Sequence, residues 1–159
     1  MPTPQPNADR SKPRRGFTLT ELMVVMVMIG IMVAMSVPSY QRAIEQSRAD
    51  IAAANLRAIW AAERLYWLEN GKYTPAPDPP TPDTALQSLH DLGLIDGDIV
   101  AGMGGYTYAI TNGSANSFTA TATRSGTSGN FSISDLGVVG GTVTVGSGSG
   151  SYSITPGFQ

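Results

Sequence analysis

The sequence predicts an α+β fold in which a long N-terminal helix packs on an antiparallel meander sheet of four or five strands. Two observations lead to this prediction. Residues 22–37 form an apolar run without a charged side chain, and residues 39–70 follow with no internal glycine or proline. After Gly105 apolar residues begin to alternate with polar ones, which is the period of half-buried strands rather than of helices.

The N-terminal segment has the charge pattern of a membrane anchor. Residues 1–16 carry four basic side chains and one acidic one, and the apolar stretch 17–37 follows directly. These 21 residues rise about 31 Å as a helix, close to the ~30 Å hydrocarbon core of a bilayer. Because positive charge before a span stays in the cytoplasm, we expect a cytoplasmic leader (1–16), a membrane helix (17–38) and an exported remainder.

Composition argues against several functional classes. The chain has no cysteine, which excludes disulfides, zinc–thiolate clusters and a thiol nucleophile. Its single histidine, His90, lies in a predicted loop and cannot by itself build a familiar hydrolytic or zinc site. From Phe17 onward six basic side chains face eleven acidic ones, which disfavours nucleic-acid binding. We therefore expect neither an enzyme nor a binder of small-molecule substrates.

Three interpretations of the apolar segment compete. Ala34 and Ser36 have the small side chains that signal peptidase requires, so cleavage after Ser36 of a secretory signal is one. A plain signal anchor is the second. Both leave Glu21 unexplained, because an acidic side chain costs about 2.5–3.5 kcal/mol at the centre of a span, although less near its end. The third interpretation gives this carboxylate a partner.

That third interpretation comes from the residues RRGFTLTELMVV (14–25), which closely resemble the processing site of type IV prepilins and type II secretion pseudopilins. The resemblance implies that prepilin peptidase cuts between Gly16 and Phe17 and methylates the new amino terminus of Phe17. Glu21 then becomes the fifth mature residue, where the family has its glutamate. Thr20 stands where isoleucine is commoner, which does not affect processing.

The resemblance also implies that Glu21 binds the free amine of Phe17 in a neighbouring copy and so sets the stagger of helices in a filament. Two such charges about 4 Å apart attract by about 4 kcal/mol at an effective dielectric near 20. Pairing within one chain is an alternative. A third option is interaction with the helix macrodipole, worth about 0.3–1 kcal/mol.

Gly30 and Pro38 are predicted to soften the helix. Pro38 lacks an N–H and clashes with the carbonyl of Ala34, which predicts a kink. Gly30 weakens the helix before it, and both positions have counterparts in the family. A helix that simply stops at the membrane edge would explain Pro38 equally well, and only the resemblance favours a flexible segment that bends during assembly.

Residues 39–70 are predicted to form an amphipathic helix that presents one stripe to a partner surface. The stripe repeats every seven residues and consists of Ile44, Ser47, Ile51, Ala54, Ala58, Ala61, Leu65 and Leu68. Asn70 and Gly71 are predicted to end the helix. The aromatic side chains near this end are expected to pack in the core; they are Trp60, Tyr66, Trp67 and Tyr73.

The head (71–159) is predicted to be rich in β structure. Residues 74–84 contain five prolines and predict a loop, and one or two helical turns are expected at 86–92. Asn112–Gly113 predicts a tight hairpin turn. Strands are expected around 106–110, 118–123, 131–133, 143–145 and 152–154. The acids of the 91–98 connector are weak candidates for a calcium site, the one cofactor considered; they are Asp91, Asp96 and Asp98.

The sequence thus predicts a structural subunit of a type IV pilus-like filament that assembles with copies of itself. The resemblance implies prepilin peptidase, an inner-membrane platform and an assembly ATPase as partners. The precursor would cross the cytoplasmic membrane once, and the filament would be extracellular or periplasmic. A type II secretion pseudopilin is the alternative, and a signal-anchored or secreted β-rich binding protein that does not polymerise is a further one.

Overall fold

The computed structural model describes residues 16–74, 82–114 and 116–157 of the 159-residue chain. The basic leader therefore lies almost wholly outside the described residues. The chain divides into two compact units, Met1–Tyr40 and Gln41–Gln159. Helix α1 (Leu19–Asn70) supplies residues to both.

The described part of the first unit is helical and exposed. Every residue from Gly16 to Tyr40 is exposed to solvent, including the whole apolar run. By length and composition α1 can cross a membrane, and the apolar window that meets this criterion is unburied. Pro38 lies inside α1, whose helical assignment continues on both sides of it. The kink expected at Pro38 stays a prediction.

In the second unit α1 buries a narrow face made largely of alanines. The buried positions recur at intervals of three and four; they are Ala49, Ala52, Ala53, Leu56, Ile59, Ala62 and Glu63. The stripe predicted to meet a partner surface lies on a different face, which the sheet does not cover, since all of its members are exposed. Both sets have helical spacing, and periodicity alone does not tell which of two faces the sheet covers. The sheet covers the face with small side chains because they let the backbone of α1 approach the strands closely.

The end of α1 agrees with the prediction. Gly71 has the left-handed φ of 68°, and its N–H donates to the carbonyl of Trp67 at 2.8 Å. The side-chain amide of Asn70 donates to the carbonyl of Tyr66 at 3.0 Å. A glycine in this conformation after the last helical residue is the usual way to satisfy terminal carbonyls. The predicted end at Asn70–Gly71 is confirmed.

The sheet is a five-stranded antiparallel meander, as predicted. Its strands pair in chain order; they are β1 (Thr107–Ser114), β2 (Ser117–Thr123), β3 (Thr127–Ser134), β4 (Val139–Val145) and β5 (Tyr152–Ile154). Alternate residues point to the helix, so that Phe118, Ala120 and Ala122 of β2 are buried. The α+β class and the strand number are confirmed.

Three local predictions need correction. Asn112–Gly113 is not the hairpin turn, because both residues lie inside β1 beside an irregularity of register, and the strands join between Ser114 and Ser117. The loop expected over 74–84 is shorter, since helix α2 (Pro82–Asp91) begins at its last proline, a residue that suits the first helical turn. The 91–98 connector leads into a further helix, α3 (Gly97–Val100). Residues 75–81 lie outside the described residues.

One hydrophobic core joins the sheet to α1 and α2 in the second unit. Tyr73 packs on Phe118 with ring centroids 4.8 Å apart, and Tyr106 stacks on Phe131 at 5.6 Å. Ala85, Leu86 and Leu89 of α2 are buried in the same cluster, and α2 lies beside β1. Of the aromatic residues at the end of α1, Tyr73 is in the core, as expected, and Trp60, Tyr66 and Trp67 pack against it while only partly buried.

Candidate assembly site at the start of the helix

The predicted processing site lies in exposed, non-helical chain. Gly16 and Phe17 precede α1 and are exposed, and the Phe17 side chain is 77% exposed. Among the described residues, no atom beyond Gly16 and its chain neighbours lies within 4 Å of the position where a Cβ on Gly16 would be. The peptide bond between these two residues is thus accessible in the described chain, as a protease requires of its substrate.

Glu21 forms a reciprocal cap with Thr18. The backbone N–H of Thr18 donates to Glu21 Oε2 at 3.0 Å, and the Thr18 hydroxyl donates to the same oxygen at 2.8 Å. In return, the N–H of Glu21 donates to Thr18 Oγ1 at 3.2 Å. This is a capping box, in which a threonine at the N-cap and a glutamate three residues later satisfy free N–H groups of the first turn.

The cap gives the acidic residue a local partner before any processing. In the unprocessed chain the nitrogen of Phe17 belongs to a peptide bond, so no ammonium is available to Glu21. Among the described residues Oε1 of Glu21 has no partner. The sequence contained the signal for this cap, since threonine and glutamate stand three residues apart directly before an apolar run. Sequence reasoning noted a macrodipole interaction and overlooked the cap.

The segment that follows is apolar on every side. A shallow apolar surface runs along one face and is lined by Met23, Val24, Val27, Met28 and Ile31, together with Thr20. Gly30 has no neighbouring atoms within 4 Å of its Cβ position. The Ser36 hydroxyl donates to the Met32 carbonyl at 3.0 Å, which satisfies it inside the helix. An exposed surface of this kind in a monomer marks a membrane-facing or protein-facing segment.

Two of the three aspartates considered for calcium, Asp91 and Asp96, have other partners for their carboxylates. Asp96 is the N-cap of α3 and accepts a hydrogen bond from the Asp98 N–H at 3.2 Å. Asp91 accepts from the Gln87 side chain at 2.8 Å and lies 3.6 Å from His90 Nδ1. Within the described residues no three acidic, histidine or cysteine side chains come together as metal ligands. Calcium binding stays a prediction.

A buried carboxylate in the head escaped sequence reasoning. Glu63 is 0% exposed; it accepts hydrogen bonds from the backbone N–H of Thr74 at 3.0 Å and from the Thr74 hydroxyl. Burial raises the pKa of Glu63, and the two bonds from Thr74 oppose that rise. The contact ties the chain after α1 back onto the helix. Its sequence signal was weak, since Glu63 precedes Arg64 on what looks like a polar face.

Comparisons with known proteins agree with this architecture. A sequence model of the family described as "Type IV minor pilin ComP, DNA uptake sequence receptor" matches residues 38–132, more than half of the chain. A second model, described as "Prokaryotic N-terminal methylation motif", matches residues 11–37. The second match covers the end of the predicted leader, the predicted cleavage site and the apolar helix.

Individual relatives carry pilin and secretion names. The type IV major pilin protein PilA of Myxococcus xanthus is 38% identical over 66 residues, 41% of this chain and 30% of that protein. The type II secretion system core protein G of Pseudomonas aeruginosa is 41% identical over 58 residues, 36% and 41% of the two chains. A fimbrial protein of Pseudomonas aeruginosa is 27% identical over 101 residues, 64% and 62% of the two chains.

The chain spans less than two thirds of the length of these relatives. Their names are those of filament and secretion-system proteins, and none is the name of an enzyme. The apolar N-terminal helix fits a membrane-anchored precursor. With the helix-on-sheet fold and the processing-site sequence, the match over residues 38–132 shows that this chain belongs to the family of type IV minor pilins.

Proposed function

We propose that this protein is a structural subunit of a type IV pilus-like filament and is assembled through its N-terminal helix. The observation that carries the proposal is the exposed apolar helix of the first unit, which has a single acidic residue at its start. A bilayer covers such a surface before assembly, and the same surface on other copies covers it afterwards. The methylation motif over residues 11–37 supports this use of the segment.

Processing follows from the same segment. Prepilin peptidase removes residues 1–16 at the cytoplasmic membrane and methylates the amine of Phe17. The cap between Thr18 and Glu21 holds the carboxylate close to this new amine. Glu21 Oε1 is then available to the Phe17 ammonium of a neighbouring copy. An inner-membrane platform and an assembly ATPase extract the subunit into an extracellular or periplasmic filament.

The exposed stripe of the second half of α1 supports assembly as well. Ile51 is 48% exposed, Leu65 46% and Leu68 70%. The sheet covers the opposite face of the helix, so these side chains lack an intramolecular cover. Apolar residues at helical spacing on a free face are typical of a surface that meets another helix. We assign this stripe to contacts between subunits.

DNA binding, named in the description of the matched family, is the second candidate and receives less support. From Pro38 onward the chain carries six basic and ten acidic side chains, whereas affinity for DNA depends on neutralising phosphates. Arg48 and Arg124 both contact Glu45, and Arg64 lies over the rings of Trp60 and Trp67. Few guanidinium groups are left for a phosphate backbone.

The pseudopilin alternative shares every step of this proposal except the cellular machine. A relative named as a secretion core protein matches the chain as well as one named as a pilin does. The family match over 38–132, which includes most of the head, favours the pilin. The helix segment is common to both classes and does not separate them.

Intact mass and substitution of Glu21 test the proposal. We expect the exported protein to begin at Phe17 and to carry one additional methyl group. We expect Glu21→Ala to insert normally and to lose at least tenfold in filament yield, because the carboxylate that meets the neighbouring amine is gone.

Glu69→Ala is the matched control, since Glu69 is an exposed acid of the same helix; its filament yield should equal that of the unchanged protein. A mature protein that begins at Val37 or retains Met1 would contradict processing. Normal filaments from Glu21→Ala would contradict the role of this carboxylate.

A further inference from the structure

The turn between β3 and β4 presents apolar side chains to solvent. Leu136 is 81% exposed and Val138 is 65% exposed. They belong to the four-residue segment 135–138, called here the apolar turn. Isolated exposed apolar residues are ordinary on protein surfaces, but two in one tight turn with a fixed backbone form a small protrusion suited to a pocket.

The backbone of the apolar turn is firmly held. The N–H of Gly137 donates to the Ser134 carbonyl at 2.9 Å, and the indole N–H of Trp60 donates to the Asp135 carbonyl at 3.1 Å. Gly137 has a φ of 80°, and a Cβ there would come within 3.0 Å of the Trp60 ring. Because the turn is fixed before any contact, binding through it loses little conformational entropy.

A groove that can receive such a protrusion lies elsewhere on the same unit. It has a volume of about 330 Å³ and is called here the Tyr152 groove; its lining residues are Gln41, Ile44, Glu45, Arg48, Val145 and Tyr152. Its lining combines apolar side chains, Ile44 and Val145, with the polar or charged Gln41, Glu45 and Arg48. It can therefore bury one or two apolar side chains while its rim offers polar groups to the flanking chain.

The charges around this groove favour an acidic binding partner. Arg48 and Arg124 both contact Glu45, and the Arg42 guanidinium lies 5.4 Å from the centroid of the Tyr152 ring. Arg48 and Arg124 are thus offset by Glu45 and by the nearby Asp50, whose carboxylate accepts from the Gly157 N–H. Arg42, beside the Tyr152 ring, is the cationic group left to meet an acid at this groove. The apolar turn itself begins with an acid, Asp135. The two surfaces are thus complementary in charge as well as in polarity.

The two surfaces lie at opposite ends of β4. Leu136 and Val138 directly precede the strand, and Val145, its last residue, lines the groove. A strand of this length spans about 20 Å. Along α1 the distance from Ile44 to Trp60 is about 24 Å, because each helical residue rises 1.5 Å. The turn of one molecule therefore does not reach its own groove.

From this arrangement we infer that the apolar turn of one copy seats in the Tyr152 groove of a second copy, so that heads contact each other head to tail. Two different surfaces on one body give a heterologous contact, and such a contact propagates along a filament when its rotation does not close into a ring. The inference rests on the proposed filament function. It adds a contact between heads to the one made by the N-terminal helices.

Cysteine cross-linking tests the inference, and the chain has no native cysteine to interfere. The full-length double variant Ile44→Cys/Val138→Cys is expressed in the filament-forming cell, and sheared filaments are treated with a mild oxidant. A disulfide requires Cα atoms within about 7 Å, so these two cysteines cannot pair within one chain. We expect a ladder of covalent multimers, whereas either single variant gives dimers at most.

The control is Ile44→Cys/Leu92→Cys, because Leu92 is also exposed, at 57%, but lies outside the apolar turn. The inference is overturned if filaments form and give no ladder, or if the control pair gives the same ladder. The proposed function survives both results. Absence of filaments from the unchanged protein would instead count against the proposed function.

Charge exchange provides a second, independent test. Asp135→Arg should lower filament yield at least fivefold, and adding Arg42→Asp should restore at least half of it, since opposite charges again meet across the contact. Failure of the double variant to recover would overturn the seating of this turn in this groove. Chemical labelling of the groove distinguishes the other occupant. If anionic vesicles or duplex DNA protect the groove from labelling and a second copy does not, the inference is overturned in favour of an anionic ligand.

Discussion

Side chains of the same type are exposed in the first unit of the chain and buried in the second. Val24 in the first unit is 52% exposed and Val143 in the second is fully buried. Ile29 is 54% exposed, whereas Ile133 is 1% exposed. The second unit is complete, since its sheet covers the helix and the helix covers the sheet. The described residues of the first unit have no such cover, and this difference supports the proposal that this unit meets a bilayer and then other copies.

The largest expected effect is a loss of stability in the second unit. Phe131→Ala removes a fully buried ring that stacks on Tyr106, and we expect a loss of about 3–5 kcal/mol in the free energy of unfolding. Denaturant unfolding of the processed protein in detergent measures it.

Leu65→Ala is the matched control, because Leu65 is 46% exposed on the free face of α1; its stability should change by no more than about 0.5 kcal/mol. Its filament yield should fall, since that face is assigned to subunit contacts. Equal losses of stability in the two variants would contradict the division between a covered and an uncovered face.

A smaller effect is expected at the buried carboxylate. Thr74→Val keeps the backbone bond to Glu63 but removes the hydroxyl that donates to it. A buried acceptor that loses its donor costs about 1–3 kcal/mol, so we expect unfolding at lower denaturant. Thr119→Val on the exposed face of β2 is the control and should be neutral. If the two variants unfold at the same denaturant concentration, the hydrogen bond from the Thr74 hydroxyl to Glu63 adds nothing to stability.

The finest comparison uses pH. Burial raises the pKa of Glu63 in the folded state above its ordinary value of 4.5. As pH rises above 4.5, Glu63 loses its proton in the unfolded chain before it does so in the folded one. Deprotonation therefore favours the unfolded state, and the free energy of unfolding falls until the pH passes the pKa of Glu63 in the folded state. Below 4.5 the contribution is fully present.

Titration of stability for the unchanged protein and for Glu63→Gln checks this dependence. The difference between the two curves should fall with rising pH, because the glutamine does not titrate. Two parallel curves would contradict a raised pKa at Glu63.

Local sequence was sufficient for most of the fold. The alternation of Phe118, Ala120 and Ala122 with threonines located β2, and the Asn70–Gly71 pair located the end of α1, because both signals act within a few residues. The choice of helix face was not readable, since Ile51 and Leu56 are both apolar at helical spacing and only the sheet decides between them. Asn112–Gly113 failed as a turn because the register of β1 against β2 prevailed over local preference.

The same distinction holds for the site. The processing sequence around Gly16 and Phe17 is contiguous and was recognised from its letters. The sequence also contains the spacing typical of the Thr18–Glu21 cap, which the sequence-based prediction overlooked. The Tyr152 groove is lined by residues 41–48 and 145–152, and the apolar turn is held by Trp60, 75 residues before Asp135. Only the folded structure therefore places Ile44 beside Tyr152.

The strand order has a consequence for biogenesis. Every strand of the sheet pairs with its immediate neighbours in the chain, and such local pairing lowers contact order and speeds folding. The head can therefore form hairpin by hairpin. Because the sequence contains no cysteine, this folding does not wait for disulfide formation.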